Sequence, residues 1–319
     1  MPENNAALPD IGQIHDAAAR IAPHARITPV LRSAVLDALT GAELHFKCEN
    51  LQRGGAFKFR GACNAVWALS EAQAAHGVVT HSSGNHGNAL ALAAATRGIS
   101  AHVVIPEGAV QAKVAAIQRA GAILHRCAPT QAAREQAATE VQQRSGAVLV
   151  HPYADTQVMA GQGTVALELL RQAEGLDSLI TPIGGGGLAS GTAIVAHAHD
   201  PALQLFGAEP QGADDAAQSL AQDARLDSMT PDTLCDGLRA LIGASNFEAL
   251  RQHRVTVITV SDRETIAAMQ LLWSELKMVV EVSSATVLAA LLKKPAQFAG
   301  RRVGVVLTGG NVDLQALPW

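Results

Sequence analysis

Ser178–Leu188 reads SLITPIGGGGL, an apolar run, four consecutive glycines, then a helical pattern that continues to His199. An apolar run without alternation suits a strand buried on both faces, as in a parallel sheet. Glycines carry no Cβ, so successive backbone N–H groups can converge on an anion where strand turns into helix. The same grammar recurs. Gly77–Ser82 (GVVTHS) predicts a strand that meets Ser82-Ser83-Gly84-Asn85-His86-Gly87 and a helix over His86–Arg97. Arg302–Leu307 predicts a strand that ends at Thr308-Gly309-Gly310-Asn311. Further strands are predicted at Glu43–Glu49, Ala101–Ile105, Ala122–His125, Ala147–Val150, Leu203–Ala208 and Val255–Val260. Helices are predicted at Ala56–Leu69, near Val110–Ala120, at Thr130–Ser145 and near Leu188–His199. Gln211–Leu241 reads as loop and short helix. Alternating strands and helices define an α/β chain with mostly parallel sheets. In such sheets ligands bind beyond the carboxyl ends of the strands, where these loops lie.

Composition narrows the function. The 319 residues carry 24 Lys+Arg and 28 Asp+Glu, a formal charge of −4, which argues against an electrostatic nucleic-acid binder. A hydrophobic fraction of 48% supports a large core, and with only 3% aromatics, aliphatic side chains and alanine must fill it. No basic and apolar leader and no membrane-spanning run is visible, so a cytoplasmic chain is expected. Cys48, Cys63, Cys127 and Cys235 show neither CxxC nor metal spacing and read as reduced, buried thiols.

The loops supply the chemistry. Gly184–Gly187 is neither GxGxxG nor a Walker A loop, so a single phosphate is the best guess. Glu209, at the end of the next strand, keeps a nicotinamide reading weakly open. Lys58 follows a Gly pair in GGAFKFRGA (54–62), and a lysine in a partly apolar pocket loses its proton easily and can attack a carbonyl. In AEPQGADD (208–215), Glu209 and Asp215 with the Ala213 carbonyl, beside Asp214, offer hard oxygen ligands for Mg²⁺, Ca²⁺ or Mn²⁺.

FKFRGA, SSGNHG, the GQGT segment at Gly161–Thr164, GGGGL and TGGN occur here in one order. The set resembles the serine/threonine dehydratase and serine racemase family of fold-type II pyridoxal-phosphate enzymes, from about Thr28 to Leu314. The resemblance implies a tryptophan synthase β-like fold of two open, twisted, mostly parallel sheets flanked by helices. It implies a large cofactor domain (1–75 and 155–319), a small mobile domain (76–154) and a homodimer. It implies that Lys58, next to Phe57, binds the aldehyde of pyridoxal phosphate and that Asn85 meets the 3′-oxygen. Gly184, Gly185, Gly186, Gly187 and Leu188 would cup the phosphate, with Thr308 facing the pyridine nitrogen. Ser82, Ser83, Asn85 and His86 resemble the loop that grips the substrate carboxylate. Arg134 aligns with an arginine that some members use on substrate, and the acidic loop matches the metal-dependent branch.

The chain departs from the family at Glu281-Val282, at Tyr153 and at Gln52-Arg53-Gly54-Gly55, the last giving no support for nucleotide activation. The expected activity is dehydration of serine, threonine or 3-hydroxyaspartate to a 2-oxo acid and ammonia. Serine racemisation, with Ser83 as the acid on the second face, is the alternative. A β-replacement synthase and a non-catalytic phosphate binder are the remote ones.

Overall fold

A computed structural model describes residues 6–109 and 111–319. The opening MPENN and Val110, on which the leader and helix-start expectations fall, lie outside them. In chain order the regular elements are α1 (Ile11–Ile21), β1 (Val30–Leu31), α2 (Ala34–Thr40), β2 (Glu43–Cys48), α3 (Lys58–Ala68), α4 (Glu71–Ala74) and β3 (Val78–Thr80). Next come α5 (Asn85–Arg97), β4 (Ala101–Pro106), α6 (Gln111–Arg119), β5 (Ile123–Cys127), α7 (Gln131–Ser145), β6 (Val148–Leu149) and α8 (Thr156–Gln172). The rest are β7 (Ser178–Pro182), α9 (Gly187–His199), β8 (Gln204–Pro210), α10 (Asp215–Gln222), α11 (Ala244–Gln252), β9 (Thr256–Val260), α12 (Asp262–Leu276), α13 (Val282–Lys293), α14 (Pro295–Phe298) and β10 (Arg302–Leu307).

Two sheets result, ordered β1-β2-β10-β7-β8-β9 and β5-β4-β3-β6. Every pairing is parallel except that of the two-residue β1 with β2. The last strand, β10, inserts at the centre of the larger sheet, with Val305 opposite both Phe46 and Ile180. Its VGVVL run is buried on both faces, as its lack of alternation requires. α2, α12 and α13 cover one face of this sheet, while α1, α8, α9 and α11 cover the other. In the smaller sheet, α3 and α5 pack against Val78 and Ala101, α6 against Val103 and Ile105, and α7 against Val79 and Val104. Alanine and aliphatic residues dominate these cores, each large side chain contributing roughly 1.5–3 kcal/mol by its burial.

The GQGT segment explains how the lysine's helix is seated. It lies in α8, and a Cβ at Gly161 would fall 2.6 Å from the Arg60 carbonyl oxygen. One at Gly163 would fall 2.9 Å from Ile14 Cδ1. Only glycine lets α8 run this close to α3 and α1 together.

Candidate active site

The Gly54-Gly55 turn is left-handed at both residues, with φ of 71° and 72°, which glycine adopts without strain. It turns the chain so that Ala56 pairs antiparallel with Gly309 and the Phe57 N–H donates to the Thr308 carbonyl at 2.9 Å. α3 then starts at Lys58, and its first side chain enters a cavity of about 540 Å³ between the carboxyl ends of the two sheets. Lys58 Nζ donates to the Pro152 carbonyl at 2.8 Å and lies 5.2 Å from the Phe57 ring centre. Loss of water around the amine lowers its pKa from 10.5 to about 8.

The four glycines lie in the same cavity, between the end of β7 and the first turn of α9. The unpaired N–H groups and positive end of that helix suit an anion. The loop admits no larger residue, since a Cβ at Gly185 would lie 2.3 Å from ring carbons of Tyr153. Asn246 Nδ2 fixes the loop by donating to the Gly185 carbonyl at 2.6 Å. Thr308, nearly fully buried, lines the cavity and offers a neutral hydroxyl. These groups fit pyridoxal phosphate, with an anion cup, a lysine of lowered pKa and no carboxylate at position 308.

Ser82, Ser83 and Gly84 line the cavity ahead of α5, whose first residue is Asn85. Asn85 Nδ2 donates to Glu281 Oε1 at 2.7 Å, and its Oδ1 accepts from Asn311 Nδ2 at 2.9 Å. Glu281 is buried, its Oε2 has no partner, and burial raises its pKa to about 7. His86 is also buried. One ring nitrogen lies 3.3 Å from the Val150 carbonyl oxygen, the other has no partner, and desolvation holds its pKa well below 6.5. Arg134, on α7, lines the cavity, and its Nε is buried without a hydrogen-bond partner. All the expected cofactor and substrate residues therefore border one space.

Sequence reasoning assigned no role to Lys113, His81, Asp236 or Arg239, which line the same cavity. Lys113 forms an ion pair with Asp236 across it. No local spacing signals that pair, because its members lie 123 positions apart.

The acidic loop lies apart from the cavity lining. Glu209 is in β8, Ala213 in the turn that follows, and Asp215 opens α10. Both carboxyls are buried. Glu209 accepts from the Ala216 and Ala217 N–H groups, and Asp215 Oδ2 accepts from the Ile242 N–H at 2.7 Å, leaving Asp215 Oδ1 unpartnered. Burial, then the Asp215 charge, pushes Glu209 well up, and burial raises Asp215 to about 6. Two neighbouring buried carboxylates with an orphaned oxygen have the chemistry that suits a hard cation. No group of three or more His, Cys, Asp and Glu side chains is arranged for a metal among the described residues. Nor is any helix among them long and apolar enough to cross a membrane.

The chain matches the model of the pyridoxal-phosphate dependent enzyme family over residues 21–309, and it belongs to that family. It is 48% identical over 300 residues to beta-hydroxyaspartate dehydratase of Paracoccus denitrificans (strain Pd 1222), covering 94% of this chain and 95% of that one. It is 46% identical over 313 residues to serine racemase of Arabidopsis thaliana, covering 97% and 95%. The structure of maize serine racemase matches with a TM-score of 0.94 at 44% identity, covering 96% of this chain and 95% of that one. The fold is thus the fold-type II architecture that the ordered motifs imply.

Proposed function

We propose that the chain is a pyridoxal-phosphate-dependent ammonia-lyase that dehydrates a β-hydroxy amino acid, with 3-hydroxyaspartate as its preferred substrate. The observation that carries the diacid is Arg134, a guanidinium at the cavity wall with a buried, unpartnered N–H. Bound at this site, pyridoxal phosphate supplies an electron sink for charge that develops at the substrate Cα. The glycine loop and the α9 amides would hold its phosphate, and Thr308 would offer its ring nitrogen a neutral partner. Lys58 takes the Cα proton, because its lowered pKa makes the free amine accessible near neutrality. The Ser82–Asn85 loop holds the α-carboxylate, and Arg134 holds the second one. Water is eliminated and then taken up again on hydrolysis, with no net change in water, which leaves a 2-oxo acid and ammonia.

A 2-oxo-acid assay over serine, threonine and the 3-hydroxyaspartate isomers tests this. Arg134→Ala should lower kcat/KM for the diacid by roughly 10- to 100-fold, the worth of a charge-assisted hydrogen bond, and change serine little. Equal losses on both would return Arg134 to a structural role.

Racemisation is a second reading, supported by the position of Ser83 in the cavity wall. Ser83→Ala should retain measurable dehydration of an L-substrate through Lys58 and lose D-product on chiral chromatography. Racemisation at the wild-type rate would remove Ser83 from that role.

We further place a divalent cation, Mg²⁺, Ca²⁺ or Mn²⁺, on Glu209, Asp215 and the Ala213 carbonyl. Both carboxyls have raised pKa values in the folded chain, so their contribution favours folding at acidic pH. That contribution is lost as pH rises from about 4 through the Asp215 value of about 6 and beyond. A bound cation reverses the loss. Mg²⁺ should therefore raise the Tm of chelated protein more at pH ~8 than at pH ~5.5, and Glu209→Gln should abolish the difference. A Tm at the higher pH that ignores chelator and all three ions would eliminate the site.

A further inference from the structure

His151, Pro152, Tyr153 and Ala154 lie in the connection from β6 into α8, and separate parts of the site meet on them. The Pro152 carbonyl accepts from Lys58 Nζ at 2.8 Å. The Tyr153 ring covers Gly185, and the Tyr153 carbonyl accepts from Asn246 Nδ2 at 3.2 Å, the same group that donates to the Gly185 carbonyl. The connection is itself held by His151. Its Nδ1 accepts from the Ala154 N–H at 2.9 Å and from the Tyr153 N–H at 3.4 Å. Its ring packs edge-on against Tyr153, centroids 4.6 Å apart, and against His81 at the end of β3, centroids 5.2 Å apart.

An acceptor that serves backbone N–H groups two and three residues ahead does what an asparagine oxygen does in an Asx turn. Acceptance at Nδ1 places the ring proton on Nε2. Burial, then the neighbouring His81 and Lys58, pushes the imidazole down to about 3, so it stays a neutral acceptor throughout the working pH range.

We propose that His151 is a positioning residue: by capping this turn it holds the Pro152 carbonyl on the Lys58 amine and the Tyr153 ring on the phosphate loop. The inference rests on the reading of Lys58 and the glycine loop as the cofactor site. The acceptor nitrogen of His151, and not the bulk of its ring, holds the turn.

Two variants separate these roles. His151→Leu keeps bulk and removes the acceptor, while His151→Asn restores an acceptor. The first readout is reductive methylation of Lys58 in the cofactor-free protein with formaldehyde and borohydride, mapped by peptide mass over a range of pH. A carbonyl acceptor favours the ammonium form, so its loss should move the labelling midpoint down by roughly half a pH unit in His151→Leu. The second readout is the Kd for pyridoxal phosphate by absorbance titration, expected to rise about tenfold in His151→Leu as the cup loosens. His151→Asn should match wild type in midpoint and stay within about twofold in Kd.

An unchanged midpoint in His151→Leu overturns the proposal. So does a midpoint that moves up toward the ordinary lysine range, the mark of local unfolding, or His151→Asn behaving like His151→Leu. Should His151→Leu fail to fold, His151→Asn decides: wild-type midpoint and affinity support the proposal, and loss of either overturns it. The labelling needs no cofactor, so a wild type that failed to bind pyridoxal phosphate would sink the site reading and leave the midpoint comparison standing.

Discussion

Lys58→Ala is expected to lower ammonia release by at least about 10³-fold, since one amine both captures the cofactor and moves the proton. The wild-type amine supplies the companion measurement. With a pKa of about 8, roughly one amine in ten is free at pH 7, against about one in three thousand for an ordinary lysine. Capture of pyridoxal phosphate by the cofactor-free protein should therefore accelerate with pH and level off above about 8. Borohydride trapping should put the label on Lys58. Two other lysines are otherwise engaged: Lys47 is fully buried outside the cavity lining and donates to Glu168, Gln172 and the Thr28 carbonyl, and Lys113, in the lining, is paired with Asp236. A label on either of them would refute the assignment.

The second large effect lies two residues further along α3. Arg60 is buried, and its guanidinium binds both oxygens of the fully buried Glu49, at 2.7 and 2.8 Å. It also reaches Glu168 at 3.0 Å and Thr164, both on α8. With Lys47 on Glu168, two cations and two anions tie the first turn of α3 to the end of β2 and to α8. Such a set stabilises little relative to a well-packed apolar core, but breaking it strands a charge. Arg60→Ala leaves Glu49 in the interior without its guanidinium and should cost about 3–5 kcal/mol. The urea midpoint should fall with an unchanged m-value. A change below ~1 kcal/mol would mean that Glu49 takes up a proton or finds water at little cost. Arg60→Lys should recover only part of the loss, since an ammonium cannot make the two-pronged contact.

The loops that line the cavity are legible in the sequence where chemistry and local geometry coincide. A strand running into glycine or serine and then a helix must place backbone amides at a sheet edge, so Gly184–Leu188 and Ser82–His86 could be found by pattern. Lys58 after its glycine pair reads by itself as an ordinary solvated lysine, and it becomes legible only beside the phosphate loop and within the ordered motifs. Arg60 stands in the same FKFRGA motif but drew no role, for its meaning depends on Glu168, 108 positions away. His151 drew no role, and Tyr153 stands out only as a departure from the family, for the same reason: what their turn touches belongs to distant segments, Lys58, Gly185 and His81. Among helices, α8 was visible only as the GQGT motif, since its glycines and threonine blur the apolar stripe that marks a surface helix. α13 is apolar on most of its surface and buried almost throughout, which removes the periodicity a pattern search uses. β3 is shorter than predicted, three residues ending at Thr80, because the chain leaves the ladder before His81 to form the loop over the cavity.

The place of β10 has a consequence for the birth of the molecule. Lys58 is made early, but Thr308, whose carbonyl takes the Phe57 N–H, comes 250 positions later. At roughly 5–20 residues per second the ribosome needs about 12–50 s to cover that stretch. β2 lacks its neighbour β10 for nearly all of that time, and β7 does so from the moment it is made, so apolar strand edges stand open until β10 arrives. The lysine's turn has no partner strand either, since Ala56 and Gly55 bond to Gly309 and Gly310. The nascent chain therefore has the lysine but no site around it, and its amine, still in water, lacks the burial that lowers its pKa in the folded cavity. Mispairing is most dangerous in the same interval, which makes β10 the strand on which safe folding waits.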